Sequence, residues 1–117
     1  MKDHIELGKA GEELAVKHLE GKSYRILERN WKFEIDIIAE KDKYLVIVEV
    51  KTRTSNALAE PEASVTRAKQ RILVRAANAF VNYRKQQGEV RFDIITILAR
   101  PEGTELNHIM DAFYATL

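Results

Sequence analysis

Cysteine is absent from this chain. That excludes disulfides and a thiolate metal centre, and it fits a protein of the reducing cytoplasm. Long apolar runs are absent too, and none approaches the ~20 residues of a membrane-spanning helix. The N-terminal Met1-Lys2-Asp3-His4 is charged and lacks an apolar stretch, so no signal peptide is expected. Strong charge of one sign is also missing: the net charge is +1 at pH 7, which alone does not point to a polyanion partner. His4, His18 and His108 are scattered without ligand spacing, so no histidine metal centre is expected. There is no Walker-type phosphate loop or dinucleotide fingerprint. Repeats, low-complexity tracts and linkers are lacking as well. The 117 residues are therefore read as one domain, 1–117.

What is present is a pair of apolar segments that carry charges. Glu34-Ile35-Asp36-Ile37-Ile38-Ala39 and Tyr44-Leu45-Val46-Ile47-Val48-Glu49-Val50-Lys51 flank the polar break Lys41-Asp42-Lys43. This spacing predicts a β-hairpin. With Asp42 and Lys43 as a two-residue turn, Asp36 faces Glu49 and Glu34 faces Lys51. Opposed residues share a face with Cβ atoms roughly 5 Å apart. Alternation places Leu45, Ile47, Glu49 and Lys51 on one side of the second strand. Two carboxylates so close repel unless something positive lies between them. Mg²⁺ suits the position, because it takes one or two carboxylates and completes its shell with water and phosphate. Lys51 suits the place beside it, where an ammonium can hold water or neutralise charge on phosphate. The hairpin thus points to metal-dependent phosphodiester hydrolysis. The bland alternative is a metal-free set of ion pairs, Glu34–Lys51 with Asp36–Arg53 or Glu49–Lys51.

Around the hairpin, residues 5–20 read as an amphipathic helix with Leu7, Gly11, Leu14 and Ala15 on one face. Glu12 lies on the small and apolar row Ile5-Gly8-Glu12-Val16-Leu19, so Glu12 rather than Glu13 is the inward carboxylate. Gly8 and Gly11 are expected to let the helix approach the sheet, and Gly21 to cap its end. A strand over 24–30 precedes the hairpin. Residues 54–63 read as a loop that orders on DNA, with Pro61 near the next helix start. The second helix is expected over 62–87 and to end at Gly88, with Ala68, Ile72, Ala76, Ala79, Phe80 and Tyr83 as its apolar stripe. Arg67, Arg71 and Arg75 are expected to border that stripe, as a phosphate grip or as snorkelling side chains. From Ser64 to Gly88 no acid occurs, while Arg67, Lys69, Arg71, Arg75, Arg84 and Lys85 do. A basic helix beside an acidic pocket suits a polyanion. A strand over 90–98, a turn at Arg100-Pro101-Glu102-Gly103 and a short strand or helix over 106–113 complete the chain. Trp31 is expected at a strand end or in the core. The fold class is α/β: a small mixed β-sheet with a helix against either side, in the order α-β-β-β-α-β plus the short last element.

These residues make the chain resemble the PD-(D/E)xK nuclease superfamily and, within it, the YraN-like bacterial family related to archaeal Holliday-junction resolvases. The resemblance rests on Gly8–Ala15, Tyr24–Trp31, Glu34–Ala39 and Val48–Arg53. Weaker matches are Lys69–Arg71, Arg91–Ile95 and Ala112-Phe113. Two positions depart from the pattern. Ile35 stands where the superfamily carries proline, and Phe33 where glycine is expected.

The resemblance implies a restriction-endonuclease-like fold and a Mg²⁺ (or Mn²⁺) dependent endonuclease acting on DNA, branched and Holliday-junction DNA included. Asp36, Glu49 and the Val50 carbonyl would hold the metal, and Glu12 would complete the site. Lys51 would position the attacking hydroxide. Arg53, Arg67, Lys69, Gln70, Arg71 and Arg75 are the candidate nucleic-acid contacts. A 5′-phosphate product and a two-fold homodimer are further expectations. The alternatives are a non-enzymatic nucleic-acid-binding domain on the same fold, and a protein-interaction module whose hairpin charges merely pair.

Overall fold

The computed structural model describes residues 4–54 and 65–115. Its elements are α1 (His4–Gly21), β1 (Arg25–Trp31), β2 (Ile35–Lys41), β3 (Tyr44–Thr54), α2 (Arg67–Arg84), β4 (Glu89–Arg100) and β5 (Gly103–Phe113). The strands form one sheet in the order β1-β2-β3-β4-β5. Neighbours are antiparallel except β3 and β4, which run parallel and are joined by the α2 crossover. A parallel pair needs such a crossover, because a tight turn cannot reverse the chain twice. The mixed sheet with a helix on each face is the expected restriction-endonuclease-like architecture. Among the described residues, no helix is long and apolar enough to cross a membrane.

The hairpin has the expected register. Lys41 pairs with Tyr44, and the ladder continues through Ile38↔Ile47 to Ile37↔Val48. Asp42 takes a positive φ of 54° in the two-residue turn, a conformation that Asp tolerates better than most side chains. Alternation then builds two cores. Ile37, Ala39, Val46, Val48, Ile95 and Ile97 face α1, where they meet Ala15, Val16 and Leu19. Ile38, Leu45, Ile47 and Phe92 face α2, where they meet Leu73, Val74, Ala76, Ala77 and Phe80.

Several element details differ from the sequence reading. Helix α1 is not capped by Gly21. It ends in a Schellman arrangement in which Tyr24 N–H donates to the Leu19 carbonyl (2.9 Å) and Ser23 N–H to that of Glu20 (3.0 Å). Ser23, at φ 69°, supplies the left-handed residue. Helix α2 starts later than expected, at Arg67, because the Thr66 side chain accepts from Lys69 N–H and caps it. It ends at Arg84, where Lys85 turns left-handed at φ 50°, ahead of Gly88. The buried row of α2 is Leu73, Val74, Ala76, Ala77 and Phe80, not the row through Ala68, Ile72, Ala79 and Tyr83. Tyr83 is 76% exposed, and Ala68 and Ala79 are exposed as well. Leu14 is likewise exposed rather than on the buried face of α1. The last element is a full edge strand, β5, longer than the short piece expected. Trp31 ends β1 half-buried, edge-on to Phe80 at 5.4 Å. Pro61 and the expected loop beyond Thr54 lie outside the described residues.

Of the two helix-sheet glycines, one has the expected role. A Cβ on Gly11 would overlap Thr52 Oγ1 and lie 3.1 Å from Thr52 Cβ, whereas one on Gly8 would meet nothing within 4 Å. Gly11 therefore sets how closely α1 approaches β3. We expect Gly11→Ala to destabilise the protein by roughly 1–3 kcal/mol, overpacking outweighing the helix-propensity gain of alanine. Thr52→Ala should recover part of that loss, measured by urea denaturation of the single and double variants. A neutral or stabilising Gly11→Ala would show that the contact is loose.

Candidate functional site

The charged residues of the hairpin meet at one end of the sheet, on its α2 face. Beyond the Ile37↔Val48 pair, the Val50 N–H donates to the Asp36 side chain, with N to Oδ2 at 2.8 Å. This bond anchors Asp36 beside Glu49, and the two carboxyl groups hydrogen-bond to each other. The fit between sequence and place is simple. Asp36 continues the face of Ile38, and Glu49 and Lys51 continue that of Leu45 and Ile47, past the end of the apolar core.

The electrostatics follow from burial and crowding. Burial, and then the Asp36 charge, push the Glu49 carboxyl from its ordinary 4.5 up to about 7, against the pull of Lys69 and Lys51. Burial also raises Asp36, opposed by the Val50 N–H, Glu49 and Lys69. Both carboxyl groups are thus pushed toward their protonated forms. Among the described residues, Glu49 Oε1 is the buried side-chain oxygen without a hydrogen-bond partner. An orphaned acceptor of this kind carries a desolvation penalty of about 1–3 kcal/mol unless something fills its place.

Three further residues complete the surroundings. Glu12, on α1, lies near enough to feel the Asp36 charge. Its pKa is raised by burial and then by Asp36, while Asn30 donates to it and lowers it. Its neighbour Glu13 is exposed and pairs with Arg29 at 2.8 Å, so the inward acid is Glu12, as the helical row implied. Lys69 lies on the inner side of α2, with Nζ 3.9 Å from Glu49 Oε2. It continues the buried row Leu73-Ala76-Phe80 by one turn, which aims it at the sheet. Lys51 lies beside Glu49 closely enough to favour its ionised form.

The other sequence candidates divide. Gln70 is half-buried, and its Nε2 donates to the Val65 carbonyl at 2.9 Å, so it secures the start of α2. Arg53 is half-buried near the end of β3, in a shallow hollow with Lys51, Thr96 and Leu98. Arg67, Arg71 and Arg75 are all exposed; Arg71 and Arg75 lie about half a helical turn from Leu73 and Phe80, and Arg67 borders the stripe one heptad before Val74. The reason is the phase of α2: once Leu73, Ala77 and Phe80 face the sheet, positions 71 and 75 face solvent. Glu34 is exposed and precedes β2, outside the ladder expected to pair it with Lys51.

The sequence reading passed over one buried acid. Asp93 of β4 is 1% exposed, on the α1 side of the sheet. It accepts from Arg91 (2.9 and 2.8 Å), His108 (2.7 Å) and the Asp111 N–H (3.0 Å). The available signal was an acid between Phe92 and Ile94 in an otherwise apolar strand.

A carboxyl whose folded pKa is raised stabilises the fold while protonated, and that contribution is lost as pH rises through the raised value. The contribution of Glu49 is thus full below its ordinary 4.5 and gone above about 7. In EDTA, the melting temperature is expected to fall between pH of about 5 and 8. Glu49→Gln should flatten that slope. A slope unchanged in the variant would mean that Glu49 does not carry the proton.

The model of the Uncharacterised protein family UPF0102 matches residues 11–97, which include Glu12, Asp36, Glu49 and Lys51. A UPF0102 protein of Flavobacterium johnsoniae is 47% identical, covering 97% of this chain and 98% of its own. One from Bacteroides thetaiotaomicron is 47% identical over 100% of this chain and 99% of its own. Another, from Chlorobium chlorochromatii, is 43% identical over 93% and 92%. With about three quarters of its length matched and relatives this similar end to end, the chain belongs to the Uncharacterised protein family UPF0102.

Proposed function

We propose that the protein is a divalent-metal-dependent endonuclease that hydrolyses DNA phosphodiester bonds, branched DNA included. The observation that carries this is the Asp36–Glu49 pair: two half-buried carboxyl groups in contact, one with a buried, orphaned oxygen, and two lysines alongside. A structural ion-pair network has no use for an acceptor left empty.

The residues fit a hard cation. All donors are oxygens, and Glu49 Oε1 is unclaimed. Among the described residues, no group of three or more His, Cys, Asp or Glu side chains is placed to hold an ion. A site offering two carboxylates and the Val50 carbonyl matches Mg²⁺, or Mn²⁺, which keep waters and substrate oxygens in their shells. Glu12 would act through water. When bound, the cation supplies Lewis-acid polarisation of the phosphate and a more acidic water.

The remaining work falls to the chain's own groups. Asp36 is held in place by the Val50 amide. Glu49 must give up its proton to ligate, so activity is expected to rise through neutral pH. Lys51 donates to the attacking oxygen or to a non-bridging phosphate oxygen, in the geometry of in-line attack. Lys69, from the opposite layer, supplies a second ammonium against the charge that builds on phosphorus. Arg53 and the exposed Arg67, Arg71 and Arg75 would contact the DNA backbone away from the scissile bond, with a steep salt dependence. The resemblance to resolvases, which work as two-fold dimers, supports a homodimer as the working unit.

The test is cleavage of linear, flapped and four-way-junction DNA with Mg²⁺, Mn²⁺ or EDTA. Asp36→Ala and Lys51→Ala are expected to lower cleavage by about 10²-fold or more, with DNA binding largely retained. Lys69→Ala should cost less than Lys51→Ala. Salt-sensitive binding without cleavage of any substrate would instead favour a DNA-binding domain on this fold.

A further inference from the structure

On the opposite face of the sheet, the C-terminal half of α1 and the strand β5 enclose a second site. A cavity of about 390 Å³ lies there, lined by His18, Lys22, Tyr24, Lys41, His108 and Met110. Among the described residues, no carboxylate lines it. His108 pairs with Ile95, which belongs to the α1 core, whereas Asp36 and Glu49 stand on the α2 face. The cavity therefore needs its own explanation.

Its polar wall is ordered from behind. Burial works to raise Asp93, but the hydrogen bonds from His108, Arg91 and the Asp111 N–H outweigh it and hold the group below the usual carboxylate range. Asp93 is therefore a carboxylate and only accepts. That assigns the proton to His108 Nε2, 2.7 Å from Asp93 Oδ2. His108 Nδ1 in turn shares a hydrogen bond of 3.1 Å with His18 Nε2. The same buried carboxylate fixes Arg91, whose Nη2 donates to the Tyr24 hydroxyl at 2.7 Å. Lys41 Nζ donates to the Lys22 carbonyl at 2.7 Å and lies 5.6 Å from the centre of the Tyr24 ring. One of its three N–H donors is so used.

We propose that this cavity binds a phosphate monoester of about mononucleotide size, with Lys22 and Lys41 supplying the charge and His18, held through His108 by Asp93, forming one wall. Two ammonium groups match a dianion and exceed what one carboxylate requires. A divalent cation is disfavoured by the same lysines, although the two imidazole nitrogens lie close together. Met110 and the Tyr24 ring offer apolar surface to the rest of the ligand.

The experiment is an NMR titration of the full chain, following the histidine rings, the Met110 methyl and the Tyr24 amide. The probes are inorganic phosphate, adenosine monophosphate, adenosine and Zn²⁺, with one oligonucleotide carrying or lacking a 5′-phosphate. Saturable shifts with phosphate, tighter with the monophosphate and absent with adenosine, are expected. Lys22→Ala and Lys41→Ala should each weaken binding about tenfold, and Lys22→Arg should largely restore it. Both lysines are surface groups, so an unchanged melting temperature will separate lost binding from lost fold. A response to the oligonucleotide only with its 5′-phosphate would make a strand end the source of the phosphate; a response to the free monophosphate alone would make it a small molecule. Shifts that never saturate, that persist in the double lysine variant, or that saturate with Zn²⁺ but not phosphate would overturn the proposal.

Discussion

The register of β2 against β3 is the constraint on which the rest of the molecule depends. A turn through Asp42 and Lys43 sets Ile37 opposite Val48, and the period of two then decides every side chain's face. One residue of slip would send Ile37, Ala39, Val46 and Val48 out of the α1 core and carry Asp36 away from Glu49. The pattern that buries the apolar residues is thus the pattern that brings the acids together. Stability and site are specified by the same hydrogen-bond ladder, and selection for one preserves the geometry of the other.

The acids nonetheless work against the fold. Two carboxyl groups placed where the apolar core ends are desolvated and mutually repelling, and both are pushed toward their protonated forms. Such local conflict, inside a sheet whose other levels agree, is the usual mark of a functional position. Its surroundings hold the conflict in place. Gly11 lets α1 pack tightly against Thr52, next in sequence to Lys51. Thr66 caps α2 so that its first inward side chain is Lys69. Each helix delivers one charged group, Glu12 or Lys69, to the same end of the sheet.

The α1 face has the opposite character. Asp93 is more deeply buried than Asp36, yet four hydrogen bonds leave it ionised and satisfied. Burial alone does not decide a carboxyl's state; the supply of donors does. On one face the acids crowd each other and Glu49 Oε1 has no hydrogen-bond partner among the described residues. On the other a satisfied acid orients histidines toward a cavity lined by lysines. The sheet separates two environments of opposite charge.

Much of this could be read from the residues alone. Alternation and the short polar break were enough to derive the hairpin register, the Asp36–Glu49 contact and the face shared with Lys51, because strand geometry is local and nearly invariant. The helical row through Gly8 and Val16 identified Glu12 over Glu13 for the same reason. The phase of α2 was not readable. Its alanines make two rows almost equally apolar, and only docking on Ile38, Leu45 and Ile47 selects Leu73, Val74, Ala76, Ala77 and Phe80. That selection turned Lys69 inward and put Arg67, Arg71 and Arg75 in solvent. The link between His18 and His108 was equally hidden, since ninety positions of sequence separate them and β5 had to close the sheet before they could meet. The sequence by itself determined what each strand presents to either side. Tertiary structure alone decided which helix face was buried and which distant side chains became neighbours, because those outcomes depend on packing between elements and not on any one element's period.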